Sequence, residues 1–353
     1  MALSSTSRCV HDGRMDVVLV IAIGMALAFA FTNGFQDAAN AIATLVATRA
    51  ARPVTAILMA SIMNLLGPLL IGAAVANTVA KIVVVEPEAA VAVIGAGLTG
   101  AVLWNTFTWY RGIPSSASHA LVGGLAGAAI VSAGIGAVAW GPVVDGHLGG
   151  VLGILLGILL ATALGFGATW VLERLVLRLG RRASSGAAGP VRRAQWLTSA
   201  WLAFSHGAND ASKAVGVIAA MLFASGHIED VADVGFAYIL ACSVALTIGT
   251  ALGGWRIVTT IGQRIYPIPS LDGLVSQASS AGVIFGASGA GLPVSTTQVV
   301  SSSVVGVGAG RRRWRHVGWG VVREMGVAWL TTMPAAAILA IVVLPLWWYL
   351  GGA

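Results

Sequence analysis

Charged residues are scarce in this chain of 353 residues, at 9% of the total, whereas hydrophobic residues make up 57%. A soluble domain carries about 25% charged residues, so the composition excludes an ordinary soluble protein. Cysteine is also rare, with only Cys9 and Cys242, and the second lies within an apolar run. We therefore expect no structural disulfide and no cysteine-based metal site. The composition therefore indicates a polytopic membrane protein.

Lysine is nearly absent, since only Lys81 and Lys213 occur among the 20 basic residues. Most of the arginines fall in short loops between apolar runs, at alternate loops along the chain. That placement is typical of loops retained in the cytoplasm, so the net charge of +7 reflects orientation rather than a nucleic-acid partner. It predicts a multi-pass protein of the plasma membrane with both termini extracytoplasmic.

Ten apolar runs are long enough to span a bilayer once, or as pairs of shorter segments. Glycine, proline or acidic residues interrupt several of them, which predicts an all-α protein of 10–12 transmembrane helices, some broken or re-entrant. The runs are 16–48, 54–82, 89–110, 114–134, 147–179, 196–225, 234–262, 270–290, 293–310 and 319–350.

The loop charges also predict that the two halves cross the membrane in opposite directions. We expect a first inverted repeat over 16–179, a basic cytoplasmic linker over 180–193, and a second repeat over 194–350. Inverted repeats with broken helices are typical of secondary transporters, which bind substrate near the bilayer midplane between the repeats.

Each half contains one acid in a polar segment that interrupts an apolar run. Asp37 lies in the segment 31–49 and Asp210 in the segment 204–216. Burying a carboxylate in a bilayer costs several kcal/mol, so these acids have functional reasons to be there. The neighbouring glycines and asparagines predict that the helix breaks at both places and turns backbone amides toward a polar cavity. Aligning the acids also superposes Phe31 on Phe204, Gly34 on Gly207, Ala38 on Ala211 and Asn40 on Lys213.

A second pair of motifs is rich in hydroxyls. The first runs Gly112-Ile-Pro-Ser-Ser-Ala-Ser-His119 and the second Gly291-Leu-Pro-Val-Ser-Thr-Thr-Gln298. Each predicts the start of a helix, with proline in the first turn and hydroxyls at capping positions. Free amides and hydroxyls at such an end favour an oxyanion such as phosphate or sulfate. An isolated serine would merely bond back to its own helix, but the duplication favours a site.

The acids beside such an anion site are expected to bind a coupling cation or to carry a proton. Lys213 has two interpretations that the sequence leaves open: a direct contact with the anion, or an ion pair with Asp210 three residues away. His119 and His206 are candidates for proton transfer, or are simply capped by neighbouring hydroxyls.

These four motifs, in this order, resemble the inorganic phosphate transporter (Pit) family over most of residues 16–350. The resemblance implies secondary transport of phosphate coupled to H+ or Na+, with Asp37 and Asp210 essential and no cofactor or enzymatic activity. With Lys213 the chain looks like the bacterial low-affinity branch, which resembles proton-coupled carriers of neutral metal–phosphate complexes, and the resemblance alone favours a homodimer. The substrate-contacting residues that we predict are Gln36, Asn40, Ser115, Ser116, Ser118, Asn209, Ser212, Lys213, Ser295, Thr296 and Thr297.

Two positions depart from the family pattern. Gln36 stands where the family has Asn or His, and Gln298 stands where it usually has His. No histidine at these positions can relay a proton, which leaves H+ and Na+ open as coupling ions. Three rivals also remain: a sulfate permease on the same scaffold, a membrane-embedded phosphate-handling enzyme and, more remotely, an ion channel. The enzyme lacks a visible nucleophile or metal cluster, and the channel lacks a filter sequence.

Overall fold

The computed structural model describes residues 3–72, 74–141, 143–144, 147–179, 188–253, 257–258 and 260–351, with the backbone alone for 3–15, 143–144, 147–148, 188 and 263. Nearly all of this is helical, which confirms the predicted all-α membrane protein. A hairpin of two-residue strands, β1 (Val143–Val144) and β2 (His147–Leu148), precedes the sixth helix. The helices are α1 (Leu3–Ala47), α2 (Pro53–Ile71), α3 (Ala76–Ala80), α4 (Pro87–Arg111), α5 (Ala117–Ala133), α6 (Gly150–Leu179), α7 (Ala188–Ala224), α8 (Phe236–Leu252), α9 (Ser270–Gly289), α10 (Thr296–Gly310) and α11 (Trp319–Gly351).

Five of the described helices are long and apolar enough to cross a membrane: α1 from Asp16, α2, α4, α6 and α11. Two shorter apolar helices, α5 and α8, lie beside them. The predicted run 54–82 is divided, because α2 ends at Ile71 and the chain turns at Gly72, whose φ is 79°. The total of 10–12 spans stays a prediction.

The predicted break of the helices at the two acid motifs is wrong, because α1 and α7 both continue through them. Their glycines serve a different purpose. A Cβ on Gly34 would lie 2.1 Å from the carbonyl oxygen of Leu246 in α8, and one on Gly207 would lie 2.4 Å from that of Asn64 in α2. Glycine thus lets a neighbouring helix approach closely, and the unbroken helix satisfies its own amides.

The predicted helix starts at the hydroxyl motifs are confirmed in position. Ser116 caps α5 by accepting the backbone N–H of His119 at 3.3 Å, and Ser295 occupies the same position before α10. The prolines are not in the first turn, however. Pro114 and Pro293 lie two residues before the cap, in the segments that leave α4 and α9. The chain turns in these segments, because Gly112 and Gly291 have positive φ values of 67° and 70°.

The linker 180–193 stays a prediction, and its last residues, 188–193, form the first turns of α7, which begins at Ala188. The remainder, 180–187, lies outside the described residues.

Helices of the two halves pack in matching pairs. Helix α1 packs on α8 as α7 packs on α2, and α5 packs on α11 as α10 packs on α6. In the same way α1 contacts α4, and α7 contacts α9. Helices α1 and α7 also contact each other, and the start of α10 reaches both through its threonines. The two acid motifs therefore meet in the interior.

Candidate substrate and ion site

Asp37, in the first half, binds hydroxyls of the second half. Its carboxylate accepts from Thr297 at 2.8 Å and lies 3.1 Å from the Thr296 hydroxyl. The amide nitrogen of Asn40, one helical turn further along α1, donates to the Thr297 hydroxyl at 3.0 Å. The acid motif of one half and the hydroxyl motif of the other thus form one cluster.

Asp210 has the basic neighbours of the site. One carboxylate oxygen accepts from Lys213, and the other lies 2.9 Å from Nε2 of His206. The ammonium of Lys213 also donates to the Val294 carbonyl at 2.8 Å. Of the two interpretations of Lys213, the structure shows the ion pair with Asp210. His206 is held from its other side by Asn64, with 3.0 Å between Nδ1 and Oδ1.

Two further predicted residues hold the turns that precede the hydroxyl motifs. Gln36 donates to Ser115 at 2.6 Å, and Asn209, which aligns with Gln36, accepts from the backbone N–H of Val294 at 3.3 Å. Because the same position in each acid motif contacts the same turn in its own half, these side chains fix the two helix starts beside the acids.

The remaining predicted residues divide by what their side chains bind. Ser118 joins the cluster, since it donates to the Val294 carbonyl at 2.8 Å. Ser116 lies 2.8 Å from Nδ1 of His119, so this histidine has the hydroxyl partner that the sequence left open. Ser212 does not reach out, because it donates to Ala208 of its own helix at 2.6 Å. That is the behaviour of an ordinary helical serine, and Ser212 is the weakest of the predicted contacts.

Several buried polar atoms at the cluster have no hydrogen-bond partner among the described residues. They are Oδ1 of Asn40, Oε1 of Gln36, Oγ of Ser295 and both side-chain atoms of Asn33. Leaving such an atom unpaired costs about 1–3 kcal/mol, so these donors and acceptors are available to a bound group.

The acids and their basic partners are closed off from solvent. Asp37 is 3% exposed, Lys213 1%, and His206 and Asp210 are fully buried. Ligand atoms of Asp37, His206 and Asp210 lie within 4.8 Å of one another, a spacing that suits one cation.

A second buried charge cluster, formed by Arg311, Glu173 and Asp272, was not predicted from the sequence. Arg311 lies 3.1 Å from the carboxylate of Glu173 and also pairs with Asp272. Both carboxylates are fully buried. The cluster ties the end of α10 to α6 and to the first turn of α9. Sequence spacing gave no signal, since the three residues are far apart in the chain.

The fold and the site define the class of protein. Apolar membrane helices of both halves enclose a cluster of acids and hydroxyls, together with one lysine. This is the architecture of a membrane carrier, with its binding site in the interior.

Comparison with known proteins names the family. The phosphate transporter family model matches residues 33–340. A probable low-affinity inorganic phosphate transporter of Bacillus subtilis (strain 168) is 39% identical over 92% of this chain and 96% of its own. A relative of the same description from Rhizobium meliloti (strain 1021) is 38% identical over 92% of this chain and 94% of its own. A solved structure described as the sodium-dependent phosphate transporter has a TM-score of 0.84 and 26% identity, covering 94% of this chain and 98% of that one. This chain belongs to the phosphate transporter family.

Proposed function

We propose that this protein is a secondary transporter of inorganic phosphate in the plasma membrane, which moves the anion together with H+ or Na+ by alternating access. The observation that carries the proposal is the direct contact between Asp37 of α1 and the Thr296 and Thr297 hydroxyls at the start of α10. This contact places a carboxylate, which can bind a cation, beside a helix N-terminus, which can bind an anion.

Phosphate binds, in this proposal, at the amide and hydroxyl donors of the two helix starts. Ser115 and Ser116 stand at one start, and Ser295 with Thr296 and Thr297 at the other. The positive ends of the two helix dipoles favour the anion without neutralising it fully, which allows its release. The unpaired Ser295 hydroxyl is a donor ready for the anion.

The coupling ion binds at Asp37, because this carboxylate has only hydroxyl donors at hydrogen-bond distance among the described residues. Asp210, in contrast, already pairs with Lys213. An anion and a cation bound side by side neutralise each other in the closed state, which lowers the cost of carrying both across the bilayer.

A sulfate permease on the same scaffold is the second candidate. Hydrogen phosphate has a hydroxyl that donates to a carboxylate, whereas sulfate at neutral pH has none. The buried acids therefore favour phosphate. An enzymatic function would need a nucleophile and reacting groups open to one side of the membrane, whereas the acids here are buried. The relatives described as transporters also favour a carrier.

The test is uptake of radiolabelled phosphate or sulfate into proteoliposomes, with sodium and proton gradients imposed separately. We expect phosphate, and not sulfate, to accumulate when one of the gradients points inward. An arm with Mg²⁺ inside and outside tests whether a metal–phosphate complex is carried. Accumulation of sulfate with no uptake of phosphate would move the assignment to a sulfate permease.

A further inference from the structure

Lys213 is a lysine with almost no access to water. Its side chain is 2% exposed, and its ammonium donates to the Asp210 carboxylate and to the Val294 carbonyl. A buried ammonium is costly unless it is paired and hydrogen-bonded, and here both conditions hold. Since most basic residues of the chain are arginines in loops, a lysine at this position calls for a specific explanation.

The repeat shows what stands at the same position in the other half. Aligning Asp37 with Asp210 places Asn40 on Lys213. The amide nitrogen of Asn40 donates to Thr297, and its Oδ1 has no partner in the part of the chain that the structure describes. Each half therefore has an aspartate at this place. Asp210 has an ammonium three residues further on, whereas Asp37 has an amide whose oxygen lacks a hydrogen-bond partner among the described residues.

The charges around the two acids differ accordingly. Among the described residues Asp210 has a lysine on one carboxylate oxygen, and His206 lies 2.9 Å from the other. Asp37 has no lysine or arginine within ion-pair distance in the described ranges, and His206 is 4.0 Å away. Of these two acids, only Asp210 has a permanent counter-charge within the described part of the chain.

The oxygens that Lys213 binds are also those that a small cation prefers. A carboxylate and a backbone carbonyl are typical ligands of Na+ in membrane carriers. The ammonium lies between one of each, from Asp210 and Val294. The ammonium thus occupies a position bounded by two oxygens of the kind that bind cations.

We propose that Lys213 is a tethered cation that replaces one mobile coupling ion, and so determines how many cations accompany each phosphate. This inference rests on the proposed function, because it assigns the cation stoichiometry of that same carrier. Lys213 acts as a positioning residue through Asp210, and Asp37 alone is left for a mobile ion.

The test measures phosphate accumulation at steady state in proteoliposomes, with the membrane potential clamped at zero and the size of the sodium or proton gradient varied. The accumulation ratio rises as a power of the cation gradient, and the exponent is the number of coupled cations. We expect the exponent of Lys213→Asn to exceed that of the wild type by one. A tenfold gradient then gives about tenfold more accumulation in the variant.

Two controls separate charge from packing. Lys213→Arg keeps a positive charge and is expected to keep the wild-type exponent. Lys81→Asn makes the same substitution at the other lysine, which is exposed and outside the cluster, and is expected to change nothing. The reciprocal variant Asn40→Lys places a tethered charge beside Asp37, so its exponent falls by one.

The outcomes distinguish this inference from the proposed function. Absence of phosphate uptake by the wild type would contradict the function itself. Normal wild-type uptake with an unchanged exponent in Lys213→Asn would overturn the tethered cation. Loss of all transport in Lys213→Asn, with phosphate exchange retained in Lys213→Arg, would also overturn it, because the lysine would then serve the anion. If Lys213→Asn does not fold, an unchanged exponent in Asn40→Lys would refute the proposal.

Discussion

Single side chains from distant parts of the chain account for the chemistry of this site. The Thr297 hydroxyl donates to Asp37 and accepts from Asn40, so one oxygen connects an acid of α1 with the start of α10. A hydrogen bond to a charged group contributes about 1.5–3 kcal/mol. Loss of that hydroxyl therefore weakens the cluster without removing any charge.

We expect Thr297→Val, which keeps the shape of the side chain and removes the hydroxyl, to lower the phosphate uptake rate by about 10–100-fold, since each 1.4 kcal/mol is a factor of ten. The measurement is initial uptake in proteoliposomes at a fixed gradient. Thr331→Val is the matched control, because that exposed hydroxyl binds only carbonyls of its own helix. Equal uptake in the two variants would mean that Thr297 plays no part in the site.

At the scale of helices, close backbone contacts hold the acid motifs in place. Gly34 of α1 faces the backbone of α8, and Gly249 of α8 faces the carbonyl of Phe31, where an added Cβ would lie 2.1 Å away. The other half repeats this contact: Gly207 of α7 faces α2, and Gly67 of α2 faces the carbonyl of Phe204. The motif glycines are thus packing residues of continuous helices.

Gly34→Ala is expected to destabilise the protein by about 1–3 kcal/mol, because the added methyl overlaps a backbone carbonyl that cannot move independently of α8. Thermal unfolding in detergent measures the effect. Gly24→Ala in the same helix is the matched control. Its added Cβ has no atom within 4 Å, and alanine favours a helix over glycine by up to about 1 kcal/mol. A Gly34→Ala protein as stable as Gly24→Ala would show that the two helices can separate without cost.

At the scale of the whole molecule, the sequence predicted the class of fold and which motifs lie near one another. The duplicated motifs predicted that Asp37, Asn40, Asp210 and the two threonines lie close together, since equivalent parts of a repeat meet near its axis. Composition and apolar runs were enough for the all-α membrane fold.

The failures have a common physical cause. Glycine beside a buried acid is equally compatible with a broken helix and with a tightly packed continuous one, and only the neighbouring helix at Leu246 distinguishes them. The ion pairs of Arg311 depend on three elements whose approach the sequence does not encode locally. In both cases the outcome depends on which helices pack together in the folded protein.

The most direct test of the account compares wild-type protein with Asp37→Asn and with Asp16→Asn, the same substitution at an exposed position of the same helix. Each is reconstituted, and gradient-driven accumulation of labelled phosphate is measured beside phosphate exchange at equal concentrations. The account predicts that Asp37→Asn loses gradient-driven accumulation while Asp16→Asn retains it, because the coupling cation binds at Asp37. Undiminished accumulation by a folded Asp37→Asn protein would contradict the account.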